Sequence, residues 1–367
     1  MNDTTIQATP ASRREGTLMG IKRNRKQLVA AAIALVGLAG GAVAAHATNF
    51  AGSVGVVTAP GSFPSIAPTC TTSPCAIALH VAAGSAAVSD VNNPGTPSVP
   101  FLGFGVNGNP VSLAGSPNST IKVPVGTVLN ITMTGTPIDL SFPSLPLADV
   151  VDNGGGSYTV TASKVGTSVF QPGDNAQAPK QIASGLVGVL IVTPGGCTDA
   201  VTLKCGYDNT PFEDEALVAT TDLDLEFATN PAFDMGYFGQ SIDPDFSPRQ
   251  VYHFINGKAF PETDVIEVRA GDDVLLRYVN AGVSDKTMGM LGVRQSLMAR
   301  NASKYTDPQT VIGPLVGPGE TADVSVAVPT GATAGQFLAL QDQGHQMNNG
   351  TATGFGGALT FLNVRNP

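Results

Sequence analysis

The chain is poor in the residues that build metal centres, helices and nucleic-acid surfaces. It contains 4 histidines and 4 cysteines in 367 residues, and only 13% of its residues are charged. Helical patterning is scarce after residue 48, whereas 43 Gly and 27 Pro favour many short strands joined by tight turns. The apolar fraction of 42% is sufficient for a packed core, which excludes a disordered chain.

The first 47 residues have the pattern of a secretory signal peptide. Four basic residues within 22–26 precede an uncharged, Ala-rich stretch at 28–44, and Ala45-His46-Ala47 provides the small residues of a cleavage site. This pattern predicts a periplasmic or extracellular protein. An uncleaved N-terminal membrane anchor is the alternative, because about 20 uncharged residues can just span a bilayer.

Positive charge is scarce in the chain that would remain after cleavage. Six of the 19 basic residues and two of the 28 acidic residues lie within residues 1–47, so the remainder has a net charge of −13. This charge argues against nucleic acid and against anionic lipid surfaces as partners.

The four cysteines form two close pairs in loops rich in Pro, Gly and Thr. Since the chain is predicted to be exported, we expect the local disulfides Cys70–Cys75 and Cys197–Cys205. A metal site is the alternative, but neither spacing matches a common zinc pattern.

A three-part pattern occurs twice along the chain in the same order. Each copy contains an Asn-Gly pair, then an Ile-x-Val-x-x-Gly stretch, then a Gly-x-x-Gly-x-Leu stretch. The offsets between the copies are 149, 145 and 169 residues, which are too long for small solenoid repeats and indicate two related domains. The copies occupy residues 106–110, 121–126 and 185–190, and residues 254–258, 266–271 and 354–359.

Both halves have the strand pattern of a Greek-key β-sandwich. Short β-branched runs of alternating polarity are separated by turn residues, and residues 185–192 are apolar on both faces, as in a sandwich core. We therefore predict a signal peptide at 1–47, a first domain at 48–195, an acidic connector at 196–250 and a second domain at 251–367. One strand is expected within the connector, at residues 216–220.

The residues of both halves resemble the cupredoxin domains of bacterial multicopper oxidases. Segments 266–271, 275–282 and 318–324 are similar to the second cupredoxin domain of that family, and 181–192 is similar to the first. The resemblance implies an all-β chain with two tandem Greek-key, cupredoxin-like β-sandwich domains. It also implies copper held mainly by imidazoles, with a cysteine thiolate and an axial methionine at the electron-entry copper.

The ligand positions that the resemblance implies are mostly filled by other residue types. The corresponding segments are 138–142 and 170–174 in the first domain, and 284–288 and 341–345 in the second. Only His345 lies at or beside a ligand position. Beyond residue 47 the chain has just three histidines, so a trinuclear copper cluster would need most of its ligands from a partner chain. We therefore predict no catalytic residues and no bound cofactor.

One weak copper site remains as an expectation. His345 and Met347 form a His-x-Met pair in a polar loop, and Met288 adds a second soft sulfur, so Cu(I) could bind if these loops converge. The alternative is that the methionines fill gaps in the core and that His345 is solvated. His80 and His253 lie on predicted strands and are interpreted as structural.

The leading hypothesis is an exported, copper-depleted member of the cupredoxin scaffold that acts as a non-catalytic binding or structural module. It would act through contact with an unidentified protein partner. One alternative is a divergent oxidoreductase or copper-binding protein whose copper site is reduced or completed by a partner. Another is a component of the cell surface or of a filament, which the low charge and the Gly, Pro and Ala richness favour.

Overall fold

A computed structural model describes residues 61–88, 98–196, 205–207, 212–225, 251–344, 349–350 and 356–365. The predicted signal peptide lies outside this part of the chain. Within it, nearly all regular structure is β-strand, and no helix is long and apolar enough to span a membrane. The predicted all-β class is confirmed.

The first half forms two facing sheets. The strands are β1 (Cys75–Ala87), β2 (Ser98–Val106), β3 (Thr120–Pro124), β4 (Val128–Gly135), β5 (Leu140–Ser141), β6 (Val150–Gly154), β7 (Ser157–Thr161), β8 (Gly166–Pro172) and β9 (Gly188–Thr193). One sheet has the strand order β2-β1-β4-β7-β6 and the other the order β3-β9-β8-β5. A short α-helix, α1 (Ala178–Ala183), precedes β9.

The second half is also a two-sheet sandwich. Its strands are β10 (Asp214–Asp224), β11 (Val251–Ile255), β12 (Lys258–Ala259), β13 (Ile266–Val268), β14 (Asp273–Asn280), β15 (Lys286–Met290), β16 (Gln295–Arg300), β17 (Ser303–Val311), β18 (Leu315–Val316), β19 (Thr321–Ala327), β20 (Phe337–Asp342) and β21 (Leu359–Val364). The larger sheet has the order β12-β11-β10-β14-β19-β16-β17, and the smaller sheet has the order β13-β21-β20-β15-β18. The strand expected at 216–220 is part of β10, which pairs with β11 and β14 of the larger sheet.

The sequence repeat corresponds to a repeat of topology. Strand β1 pairs antiparallel with β2 and parallel with β4, and β10 pairs in the same way with β11 and β14. Likewise β3 is parallel to β9, and β13 is parallel to β21. The two halves are therefore duplicated sandwiches.

The Asn-Gly pairs of the repeat form equivalent tight turns. Asn107 and Asn256 have φ values of 53° and 51°, and each is followed by a glycine that also has positive φ. Asparagine and glycine tolerate this left-handed conformation better than other residues. The Asn107 side chain accepts a hydrogen bond from the backbone N–H of Ala78, and that of Asn256 from Ala219. Each turn is thereby fixed to the strand beside it.

The two halves pack through the small sheet of the first and the large sheet of the second. Strand β9 is buried on both faces because its alternate residues enter different cores. Leu190 and Val192 pack inside the first sandwich, whereas Val189 and Ile191 pack against Leu217 and other residues of the second half. This explains the run at 185–192 that is apolar on both faces.

The first predicted disulfide is present between Cys70 and Cys75, with the Cα atoms 6.0 Å apart. It fixes the segment that leads into β1. Cys205 is also disulfide-bonded. Cys197, its predicted partner, lies outside the described residues.

Candidate functional site

The fold brings the predicted ligand segments together within each half. Strand β5 pairs with the end of β8, so that Ser141 lies opposite Gln171. Strand β15 pairs with the end of β20, so that Met288 lies opposite Asp342. Segments 138–142 and 170–174 therefore meet in the first half, and segments 284–288 and 341–344 meet in the second.

In the first half, the meeting segments offer oxygen atoms instead of imidazoles. The backbone carbonyl of Asp139 accepts a hydrogen bond from the Gly173 N–H at 2.6 Å. The side-chain oxygen of Gln171 is buried and accepts no hydrogen bond in the described structure. As metal ligands, these oxygen atoms are harder than the atoms that copper prefers, because copper favours imidazole, thiolate and thioether ligands.

In the second half, the meeting segments enclose a buried ammonium group. The side chain of Lys286 is 1% exposed, and its Nζ lies 2.8 Å from Asp222 Oδ1 and 3.5 Å from Asp342 Oδ2. Nζ also donates a hydrogen bond to Ser284 Oγ at 3.1 Å. Lys286 Nζ and Asp342 Oδ2 are close enough to form an ion pair, but they are not oriented for a hydrogen bond. Asp342 Oδ2 therefore accepts no hydrogen bond in the described structure. We call Asp222, His253, Ser284, Lys286 and Asp342 the lysine cluster.

Asp222 connects the ammonium to His253. The two residues face each other across β10 and β11, and Asp222 Oδ1 lies 2.6 Å from His253 Nδ1. Burial alone would raise the pKa of Asp222, but the hydrogen bond from His253 and the charge of Lys286 outweigh it and lower that pKa to about 2. Because the carboxylate is ionised, it can only accept hydrogen bonds, so the tautomer that fits has hydrogen on Nδ1 of His253 and donates this hydrogen bond to Asp222.

Backbone groups hold the other carboxylate and the loop of the lysine cluster. Asp342 Oδ1 accepts hydrogen bonds from the N–H groups of Thr287 and Gly344, at 2.9 and 3.1 Å. The buried Asn280 side chain donates to the carbonyls of Ser284 and Val316, both at 2.8 Å. The position of the ammonium is thus fixed by both adjoining segments.

The lysine cluster does not fit a copper ion. A cationic nitrogen already lies between the two carboxylates, and bringing a metal cation to the same place would add like charges at close range in a buried site. The cluster contributes one imidazole, that of His253, whose Nδ1 is paired with Asp222, and a single imidazole is fewer than copper sites require. The part of the chain that the structure describes contains no free cysteine and no group of three or more His, Cys, Asp or Glu side chains arranged to hold a metal.

The Cu(I) candidate is described only in part. Met288 is 1% exposed and packs in the apolar core of the second sandwich, and its carbonyl accepts a hydrogen bond from Gln295 Nε2. His345 and Met347 lie outside the described residues. The site formed by His345, Met347 and Met288 therefore stays a prediction.

A second buried charge cluster joins the two sandwiches and was not among the predicted sites. Arg277 donates from Nε to Glu215 Oε1 at 2.6 Å, and Lys122 of the first half donates to Glu215 Oε2 at 2.5 Å. Arg277 Nη1 lies 3.3 Å from Asp323 Oδ2, and Asp323 accepts hydrogen bonds from the N–H and hydroxyl of Thr167. We call these five residues the interdomain cluster.

The charges of the interdomain cluster balance, because two cationic side chains face two carboxylates. Burial would raise the pKa of Glu215, but the charges of Arg277 and Lys122 lower it. The Tyr207 hydroxyl donates to Asp323 Oδ2 at 2.6 Å, and burial beside that carboxylate raises the pKa of Tyr207. A charged residue inside an apolar strand pattern, such as Lys122 between Ile121 and Val123, was the sequence signal for this cluster.

No family model matches the chain. Laccase-11 of Arabidopsis thaliana is 36% identical over 111 residues, which are 28% of this chain and 18% of the laccase. The chain thus spans less than a fifth of this relative, and the match supports the multicopper oxidase resemblance without extending the laccase's activity to this chain.

Solved structures match a much larger share of the chain. The blue copper oxidase of Nitrosomonas europaea has a TM-score of 0.57 at 20% identity, covering 78% of this chain and 85% of that one. The copper nitrite reductase of the same organism has a TM-score of 0.54 at 16% identity, covering 79% and 94%. Such identities show the fold alone. The chain therefore has the two-domain cupredoxin fold of multicopper oxidases and copper nitrite reductases, and it resembles the multicopper oxidase family in sequence.

Proposed function

We propose that this chain is a non-catalytic binding or structural module built on the multicopper oxidase scaffold. The observation that carries the proposal is the ammonium of Lys286, which lies between Asp222 and Asp342 where the ligand segments of the second half meet. An ammonium that lies between two buried carboxylates supplies positive charge to both without a metal. With this position of the second half occupied by Lys286, we propose contact with a protein partner, and not copper-based oxidation, as the role of the scaffold.

Export to the periplasm or the exterior forms part of the proposal. It is supported by the basic, apolar and small-residue pattern of residues 1–47 and by the Cys70–Cys75 disulfide. Disulfides form and persist in oxidising compartments and are rare in the cytosol.

Copper analysis tests the proposal directly. The chain would be produced in copper-supplemented medium, incubated with Cu(II) and, separately, with Cu(I), freed of excess metal and analysed for copper per chain. We expect far less than one copper per chain and no blue colour. A variant carrying His345→Ala and Met347→Ala serves as the matched control for the Cu(I) candidate.

Two outcomes would overturn the proposal. Near-stoichiometric copper with blue colour would favour a divergent oxidoreductase instead. Cu(I) binding that the control variant loses would show that His345 and Met347 form a real copper site.

A further inference from the structure

The chain contains four Asn-Gly pairs, and the fold places them in different surroundings. They begin at Asn107, Asn153, Asn256 and Asn349. Such a pair can modify itself, because the backbone nitrogen of the glycine can attack the side-chain amide carbon of the asparagine. Glycine favours this attack, since it has no side chain that would hinder the approach. The dipeptide is the same in all four places, so the fold decides which pair can react.

Two of the pairs lie in the tight turns of the sequence repeat, where hydrogen bonds hold the asparagine. Asn107 is tied twice to Ala78, because its backbone N–H donates to the Ala78 carbonyl at 2.7 Å and its Oδ1 accepts from the Ala78 N–H at 2.9 Å. The amide of Asn256 is held at both ends, by the Ala219 N–H at 2.8 Å and the Leu217 carbonyl at 2.7 Å. Turning either amide towards its glycine would break these bonds.

The pair at Asn349 is held still more firmly. Asn349 is 3% exposed, and its Oδ1 accepts from the His253 N–H at 2.9 Å while its Nδ2 donates to the Phe260 carbonyl at 3.3 Å. The attacking nitrogen is engaged as well, because the Gly350 N–H donates to the Val251 carbonyl at 2.8 Å. Both reacting groups of this pair are therefore restrained.

Asn153 differs because it is the extra residue of a β-bulge near the end of β6. Asp152 lies opposite Tyr158 on β7. Gly154 lies opposite Ser157, which leaves Asn153 outside the ladder. Asn153 and Gly154 are both exposed. Apart from its chain neighbours, none of the described residues places a heavy atom within 4 Å of the position that a Cβ on Gly154 would take, so the site of attack is open.

The reacting groups of the Asn153 pair are also the least restrained. Asn153 Nδ2 donates a solvent-exposed hydrogen bond to Thr159 Oγ1 at 3.0 Å, and its Oδ1 accepts none from the residues that the structure describes. The Gly154 N–H donates to Asp152 Oδ1 at 2.8 Å, so the proton that the attack must release already contacts a carboxylate. Only one exposed bond of the amide has to break before its carbon can turn towards the Gly154 nitrogen.

We propose that Asn153 is a site of spontaneous deamidation and isomerisation in the folded chain. The Gly154 nitrogen loses its proton and forms a bond to Asn153 Cγ, the Cγ–Nδ2 bond breaks, and Nδ2 leaves as ammonia with that proton. Water then opens the succinimide ring at either of its carbonyl carbons, which gives aspartate or isoaspartate. One water is consumed and one ammonia is released, and no oxidant, reductant or cofactor takes part.

The product changes the β6–β7 hairpin. It adds a negative charge beside Asp152 and removes the hydrogen bond that Asn153 donates to Thr159. Isoaspartate also routes the main chain through the side-chain carbons at the bulge. This inference goes beyond the non-catalytic role proposed above, since it assigns a modification site to the first half and does not depend on copper.

Peptide mapping by mass spectrometry tests this inference on the full chain, incubated at mildly alkaline pH where loss of the amide proton is favoured. A parallel sample is incubated in guanidinium chloride concentrated enough to unfold it. The conversion of amide to acid is followed at each of the four pairs over time. In the folded chain we expect Asn153 to react about tenfold faster than the other three, the factor that breaking one additional hydrogen bond corresponds to. In the unfolded chain this advantage should disappear.

Asn153→Gln is the matched variant, because glutamine keeps the amide but would have to form a larger ring, which closes far more slowly. It should remove most of the modification of the folded chain. Asn130→Gln is the control, since Asn130 is exposed in the same half and is followed by isoleucine, and it should leave the modification unchanged.

Three results would each overturn the inference. The first is a folded chain in which Asn107, Asn256 or Asn349 reacts as fast as Asn153. The second is an Asn153 that stays unmodified when the folded chain is incubated for as long as the unfolded chain takes to react. The third is an equal advantage of Asn153 in the unfolded chain, which would trace the difference to the neighbouring sequence and not to the fold.

Discussion

Replacing Lys286 by methionine isolates the charge of the lysine cluster, since methionine keeps an unbranched chain of similar length and removes the ammonium. The change leaves Asp222 and Asp342 buried at 3% and 5% exposure without their shared cation. Removing one partner of a buried ion pair costs about 3–5 kcal/mol. We therefore expect Lys286→Met to lower the free energy of unfolding by about 4 kcal/mol.

Urea unfolding followed by circular dichroism measures this loss. Lys304→Met, a change of the same type at an exposed position of β17, is the control and should cost no more than about 1 kcal/mol. A double variant with Lys286→Met and Asp222→Asn removes one of the two orphaned carboxylates and should recover part of the lost stability. The physical account of the lysine cluster fails if Lys286→Met costs less than about 1 kcal/mol.

Two further predictions concern the same buried charges. The folded pKa of Asp222 is about 2, below its ordinary value of 3.8, so Asp222 stabilises the fold above pH 3.8 and this contribution is lost as the pH falls towards 2. The free energy of unfolding, measured by urea unfolding at stepwise pH, should fall by about 2 kcal/mol over that interval. An Asp222→Asn variant whose free energy of unfolding falls just as steeply with pH would contradict this. In the interdomain cluster, Glu215→Gln leaves Lys122 and Arg277 without their shared carboxylate and should cost about 3–5 kcal/mol. The half-exposed Glu320→Gln is its control, and equal losses in thermal unfolding would show that Glu215 has no special role.

The fold could be predicted because its signals are local. The Asn-Gly pairs specify tight turns at Asn107 and Asn256, since few other residues tolerate positive φ there. Alternation of polarity marks most strands, and residues 185–192 were apolar on both faces because β9 contacts two cores. Each of these features depends on a few consecutive residues, so one sequence was enough to predict them.

The lysine cluster could not be predicted because it depends on register between distant strands. Asp222 lies in the segment interpreted as an acidic connector, and it meets His253 only because β10 and β11 pair in one particular register. Lys286 lies in segment 284–288, which the family resemblance marks as a ligand segment without giving this lysine a role. Its contact with Asp342 requires the pairing of β15 with β20, which no local pattern specifies.

The two halves fill equivalent positions of the scaffold in different ways, and this difference has a physical basis. Buried carboxylates need a compensating cation, because an isolated buried charge is very costly. In the second half Lys286 supplies that cation from within the chain, so the position is closed to a metal. In the first half Asp139 is exposed at the edge of a cavity, where solvent can compensate its charge and no internal cation is required. Introducing histidines into the second half would therefore not create a copper site while Lys286 remains, whereas no Lys, Arg or His is among the described residues that line the cavity beside Asp139.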